Sequence, residues 1–156
     1  MATIITDLKE SFRRGNIYIQ LIYINVGVFV LTTLTEVILQ LFNRSLGGMF
    51  EWLELPASLS RFIVQPWSIL TYMFMHAGVL HILFNMLWLY WFGALFLNFF
   101  SAKHLRGVYI LGGICGGILY MAAYNIFPYF QPMTEYSFML GASASVLAIV
   151  AATAYR

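Results

Sequence analysis

Long apolar runs, and not alternating or one-sided stripes, dominate this chain. Residues 17–35, 79–100, 107–126 and 137–154 each approach or exceed the ~20 mostly apolar residues that carry a helix across a bilayer. Residues 41–67 have a different pattern. There Arg44, Glu51, Glu54, Pro56, Arg61 and Pro66 interleave with Leu46, Met49, Phe50, Trp52, Leu53 and Leu55. The mixture is too polar to span and too apolar for an ordinary solvated loop, so it is expected to lie partly in the membrane interface. Lys103, His104 and Arg106 form a short polar turn between the second and third runs, and residues 127–136 form another. These patterns predict an all-α polytopic membrane protein, a helix bundle with a short segment 1–16 ahead of a transmembrane domain 17–156.

Composition strengthens that reading. Hydrophobic residues make up 62% of the 156-residue chain and charged residues 9%, against about 45–50% and about 25% in soluble domains. No soluble core absorbs such an excess. The net charge of +2 comes from basic residues scattered along the loops, so nucleic-acid binding is not expected. The lone Cys115 permits no intrachain disulfide and is expected to be a small buried residue. The charged segment ahead of residue 17 has the look of a signal-peptide start, but the apolar run after it is too long and no small-x-small site follows, so it is read as a retained span.

Basic residues orient the bundle, because short cytoplasmic loops are enriched in them. Lys9, Arg13, Arg14, Lys103, Arg106 and Arg156 fall on one side, and Arg44 and Arg61 on the other. Segment 1–16 and the chain's end at Arg156 are therefore expected on the cytoplasmic side. Trp52, Trp67, Tyr129 and Tyr136 would form the outer aromatic belt, and Tyr18, Tyr109 and Tyr155 the inner one. The third run holds Gly107, Gly112, Gly113, Gly116 and Gly117, with the small-xxx-small spacing at 112/116 and 113/117. The fourth offers Gly141, Ser145, Ala148 and Ala152 on one face. Such faces let helix backbones approach closely in lipid.

Polar side chains at membrane depth are costly, and so suggest a site. Two groups qualify: His76, His81 and Asn85, the last two one turn apart on a single helix face, and Ser143 within Gly141-Ala142-Ser143-Ala144-Ser145. The orientation puts both in the outer half of the membrane. A hydroxyl flanked by small residues, with an imidazole and a carboxamide able to donate to an oxyanion, makes an acyl-transfer arrangement that lacks a base. Taken alone, a serine such as Ser143 is most often a packing residue or bonds back to its own helix, and His81 or Asn85 can be interhelical glue. His104, in the cytoplasmic turn, is read as solvated.

The segment from His76 through His81 to Asn85 resembles the His-x4-His-x3-Asn stretch of rhomboid proteases, and Gly141-Ala142-Ser143 resembles their Gly-x-Ser motif. The order, the spacing of about 60 residues and the long interfacial loop also fit. The resemblance implies a Ser-His dyad protease that cuts transmembrane substrates near the outer membrane face, without cofactor or metal. It implies Ser143 as nucleophile, His81, Asn85 and the Ser143 amide as oxyanion hole, and His76 in support. Ala144 departs from the glycine the family often has after the serine. The family's base, a histidine on a sixth helix, has no counterpart among His76, His81 and His104, so four helices of an expected six are read here and the 156 residues alone are expected to be inactive. The expected setting is a bacterial cytoplasmic membrane. The alternatives are a non-catalytic relative that binds transmembrane helices and, from another class, a transporter or channel subunit. No span carries the interior charged pair such a path commonly uses.

Overall fold

A computed structural model describes residues 2–42, 44 and 48–155 of the chain. Arg156 and Leu46, used above, lie outside the described residues, and so do the side chains of Arg14 and Met49. The helices are α1 (Ala2–Arg14), α2 (Ile17–Leu41), α3 (Leu59–Val64), α4 (Ser68–Thr71), α5 (Val79–Phe96), α6 (Ala102–Ile126) and α7 (Ser143–Ala154). Two short strands, β1 (Leu55–Pro56) and β2 (Phe138–Met139), pair antiparallel.

Among the described residues three helices, α2, α5 and α6, are long and apolar enough to cross a membrane. The protein is an all-α polytopic membrane protein. At 1.5 Å per residue, α2 and α6 reach about 37 Å and α5 about 27 Å. The fourth run departs from expectation. Its helix begins at Ser143 and not at residue 137, and its 12 residues extend only about 18 Å. Residues 137–139 are instead held extended, because Ala57 N–H donates to the Ser137 carbonyl at 2.9 Å and Leu55 and Pro56 pair with Met139 and Phe138. The expected interfacial segment is a chain of short turns, with a 3₁₀ turn at Met49–Trp52, then β1, α3 and α4. Its polar atoms are tied down: Gln65 Nε2 donates to the Glu51 and Glu54 carbonyls, Thr71 Oγ1 to Leu53, and Trp67 Nε1 to Trp52.

The bundle closes tightest between α6 and α7. Ala144 and Ala148, one turn apart on α7, put their methyl groups against the bare Cα positions of Gly116 and Gly112. A Cβ on Gly113 would stand 2.6 Å from Ser145 Oγ, and one on Gly117 would stand 2.7 Å from both Leu55 and Ile69. The close approach expected of the glycines is present, and α7 meets them with Ser145 and Ala148 of the expected face together with Ala144. Gly141 lies ahead of the helix. Cys115, expected to be buried, is exposed on α6 because the glycines on either side of it occupy the packed faces.

Tyr109, assigned to an aromatic belt, is instead fully buried. Its hydroxyl accepts from Asn25 Nδ2 at 3.1 Å and faces the Met73 carbonyl at 3.5 Å, while Asn25 also donates to Leu21 O at 2.8 Å. Sequence reading passed over Asn25, although a carboxamide in mid-span is itself the signal that such a link exists. Trp52 and Trp67 are stacked and half exposed, and Tyr129, Tyr136 and Tyr155 are exposed.

Candidate active site

Ser143 is the first residue of α7. The first four N–H groups of a helix have no acceptor within it, so the Ser143 amide is free to serve an anion there. The turn before it is fixed from two sides. Gly141 has φ +117°, a conformation that side-chain-bearing residues rarely adopt, and its N–H donates to the Tyr72 carbonyl at 2.9 Å. The β1–β2 pairing holds the residues immediately upstream. Tyr72 is itself buried and donates its hydroxyl to the Gly113 carbonyl at 2.6 Å, so α6 anchors the turn that presents the serine.

His81 and Asn85 sit in the first two turns of α5. A Cβ on Gly141 would stand 2.7 Å from His81 Cε1 and Nε2, so this glycine makes room for the imidazole edge. The Ala77 N–H points at His81 Nδ1, 3.3 Å away, which makes Nδ1 an acceptor and assigns the neutral ring's proton to Nε2. The edge turned toward the Gly141–Ser143 turn is therefore a donor. Asn85 Nδ2 uses one hydrogen on the His81 carbonyl at 2.9 Å and keeps the other. Ser143, His81 and Asn85 line one groove between α5 and α7 of about 400 Å³, walled by Leu80, Phe84, Trp88, Val146 and Leu147.

His76 lies behind this face. It is buried, its ring meets the His81 ring edge to face with centroids 5.2 Å apart, and Nδ1 donates to the Phe74 carbonyl at 3.3 Å. Its Nε2 is thereby a buried acceptor without a partner among the described residues. His104 is remote. Ser101 caps the start of α6 by accepting the His104 N–H, and α6 begins just past the end of α5, about 22 Å along that helix from His81. Ser145 is buried against Gly113, facing away from the groove. The Ala144 methyl, where the resembled family often has glycine, packs onto Gly116 of α6.

The Rhomboid domain profile matches residues 64–156, well over half of the chain. The chain belongs to the rhomboid family. Among curated proteins it is similar to RHOMBOID-like protein 7 of Arabidopsis thaliana, with 38% identity over 55 residues. That alignment takes in 35% of this chain and 18% of the plant rhomboid-like protein's length. No solved structure matches. The rhomboid match includes α5, α6 and α7 and thus every residue of the groove; α1 and α2 lie outside it.

Proposed function

We propose that this rhomboid is an intramembrane serine endopeptidase acting on transmembrane protein substrates near the outer membrane face. Ser143 would be the nucleophile. Attack on a peptide carbonyl would place an oxyanion among the Ser143 amide, the His81 Nε2–H and the free Asn85 N–H, and donors aimed at developing charge supply much of an acyl-transfer rate. His76 would hold the His81 ring edge from behind. The convergence of a helix-terminal serine with two donors in one apolar groove supports this reading best. The count of basic residues supports the outer location, since Lys9, Arg13, Lys103 and Arg106 gather at the opposite end of the helices.

The base is the open role. A base must lend Ser143 a lone pair within hydrogen-bond reach. His81 presents a donor there, the His76 lone pair is buried behind it, and His104 is at the far end. By the family resemblance, the base would be a further histidine. The competing reading is a rhomboid that binds transmembrane helices without cutting them. A fluorophosphonate probe on the full-length protein in membranes separates them. Labelling lost in Ser143→Ala and kept in Ser145→Ala is the expected result. No labelling, or labelling unaffected by Ser143→Ala, would overturn the nucleophile assignment.

A further inference from the structure

Among the described residues, nothing covers one face of α1. At 100° per residue Ile4, Ile5 and Phe12 fall within an arc of about 100°, while Asp7, Lys9, Glu10 and Arg13 occupy the remainder. Ile4 and Ile5 are 65% and 68% exposed. The direction of this arc is fixed by Phe12, whose ring meets that of Tyr23 edge to face with centroids 6.4 Å apart. Tyr23 is six residues into α2, about 9 Å further along the span than Ile17. Gln20 Nε2 also donates to the Phe12 carbonyl at 3.2 Å, and the extended Asn16 breaks the axis between the two helices. The apolar arc thus turns toward the level of the span, where α2 exposes Ile24, Val26 and Val30.

The charged arc has company. Gly93, near the end of α5, packs against Tyr18, and Asn16 borders the same hollow as Ser101 and Ala102. The start of α6, with exposed Lys103 and Arg106, is therefore at the same membrane end as α1. We propose that α1 lies in the membrane surface at the N-terminal end of α2 as an amphipathic anchor. Ile4, Ile5 and Phe12 enter the acyl chains, and Lys9 and Arg13 join Lys103 and Arg106 at anionic lipid headgroups. A protein occupant fits less well. Two isoleucines and part of a phenylalanine fall far short of the roughly 1,000 Å² that a stable protein interface buries.

Nitroxide accessibility in the reconstituted chain tests this. In a Cys115→Ser background, cysteine would replace Ile4, Ile5, Asp7, Lys9 and Arg13 in turn, in vesicles of phosphatidylcholine with phosphatidylglycerol. Labels at Ile4 and Ile5 should favour oxygen over a water-soluble nickel chelate, labels at Asp7 and Arg13 should show the reverse, and removal of the anionic lipid should make Ile5 shallower. Nickel access at every position would overturn the proposal. Burial at every position would do the same, and spin–spin broadening at Ile5 would identify a second copy as the occupant instead.

Discussion

The two sides of α7 are built by opposite rules. Toward α6 the contact is backbone to backbone, with the Ala144 and Ala148 methyl groups filling the space left by Gly116 and Gly112. Toward α5 the helix stands off, and large side chains such as Phe84, Trp88 and Leu147 wall an open groove with Ser143 at its edge. Lipid provides no hydrophobic drive for helices to associate, so the tight side must rely on close van der Waals contact. The open side is free to receive something. In the proposed function, a serine at the tip of a helix clamped from behind and uncovered in front would keep its position while a substrate exchanges. The comparison predicts that damage to the open side changes rate and leaves the fold, while damage to the closed side changes the fold and the rate together.

The largest effect is expected on the open side. In the full-length protein Asn85→Ala should slow turnover of a transmembrane substrate by about 10²- to 10³-fold, the usual loss when one oxyanion donor is removed. Substrate affinity and thermal unfolding should change little, because in the proposed site Asn85 would give its second donor only to charge that appears during reaction. An equal loss of affinity would mean that the groove recognises ground-state peptide, and the carboxamide's role would have to be reassigned.

On the closed side, Gly116→Leu places a branched side chain where the Ala144 methyl now rests. Overpacking of this kind costs about 1–3 kcal/mol. The midpoint of unfolding in detergent should fall, and Ser143 labelling should fall with it because the α7 tip is displaced. Leu147→Ala, on the groove wall, is the control: it should leave the midpoint nearly unchanged. Equal destabilisation by both would erase the distinction between the two sides.

How much of this was legible in the sequence differs between the same two sides. Hydrophobic run length locates α2, α5 and α6, since length alone decides whether a helix spans. Glycine spacing announces a close approach on α6, yet that Ala144 joins Ser145 and Ala148 there while Gly141 stays ahead of the helix depends on where α7 starts. That start is set by the pairing of Leu55 and Pro56 with residues about 80 positions away, which no local pattern reports. The chemistry-bearing side chains were visible because polar residues are rare at membrane depth. Their hydrogen-bonding roles were not, since the donor face of His81 follows from the Ala77 amide and the +117° φ of Gly141 follows from a bond to Tyr72. Tyr109 misled because an aromatic residue near a helix end resembles a belt residue until its buried partner Asn25 is seen.

That buried link gives a smaller effect. Asn25→Ala removes the donor to Tyr109, and the coupling between the two residues should be about 0.6 kcal/mol, the average for an interhelical hydrogen bond within a membrane. Denaturation of the purified protein, compared with Tyr109→Phe and the double variant, measures it. Because both residues act through one bond, the double variant should be little worse than Asn25→Ala. Full additivity would mean that the two side chains stabilise the bundle separately.

The smallest effect lies outside the spans, in the interfacial segment that braces the closed side. Glu54 precedes Leu55, the residue that both pairs with Met139 and packs on Gly117. Partial burial raises its carboxyl from 4.5 to about 7, with the nearby Glu51 and Glu36 carboxylates adding to the rise. A carboxyl whose pKa is higher in the folded than in the unfolded chain favours the fold while protonated. Its contribution is fully present below about 4.5 and is lost as pH climbs through about 7. Glu54→Gln keeps the neutral shape at every pH, so the variant should match the wild type near pH 4.5 and unfold at a higher temperature at pH 8. The gain should stay below about 1 kcal/mol, because a partly buried carboxylate keeps part of its hydration. Thermal unfolding in one detergent at both pH values decides the matter. A gain of equal size at pH 4.5 would assign the benefit to the amide's own hydrogen bonds, and Glu54 would then have no part in the pH dependence of the brace.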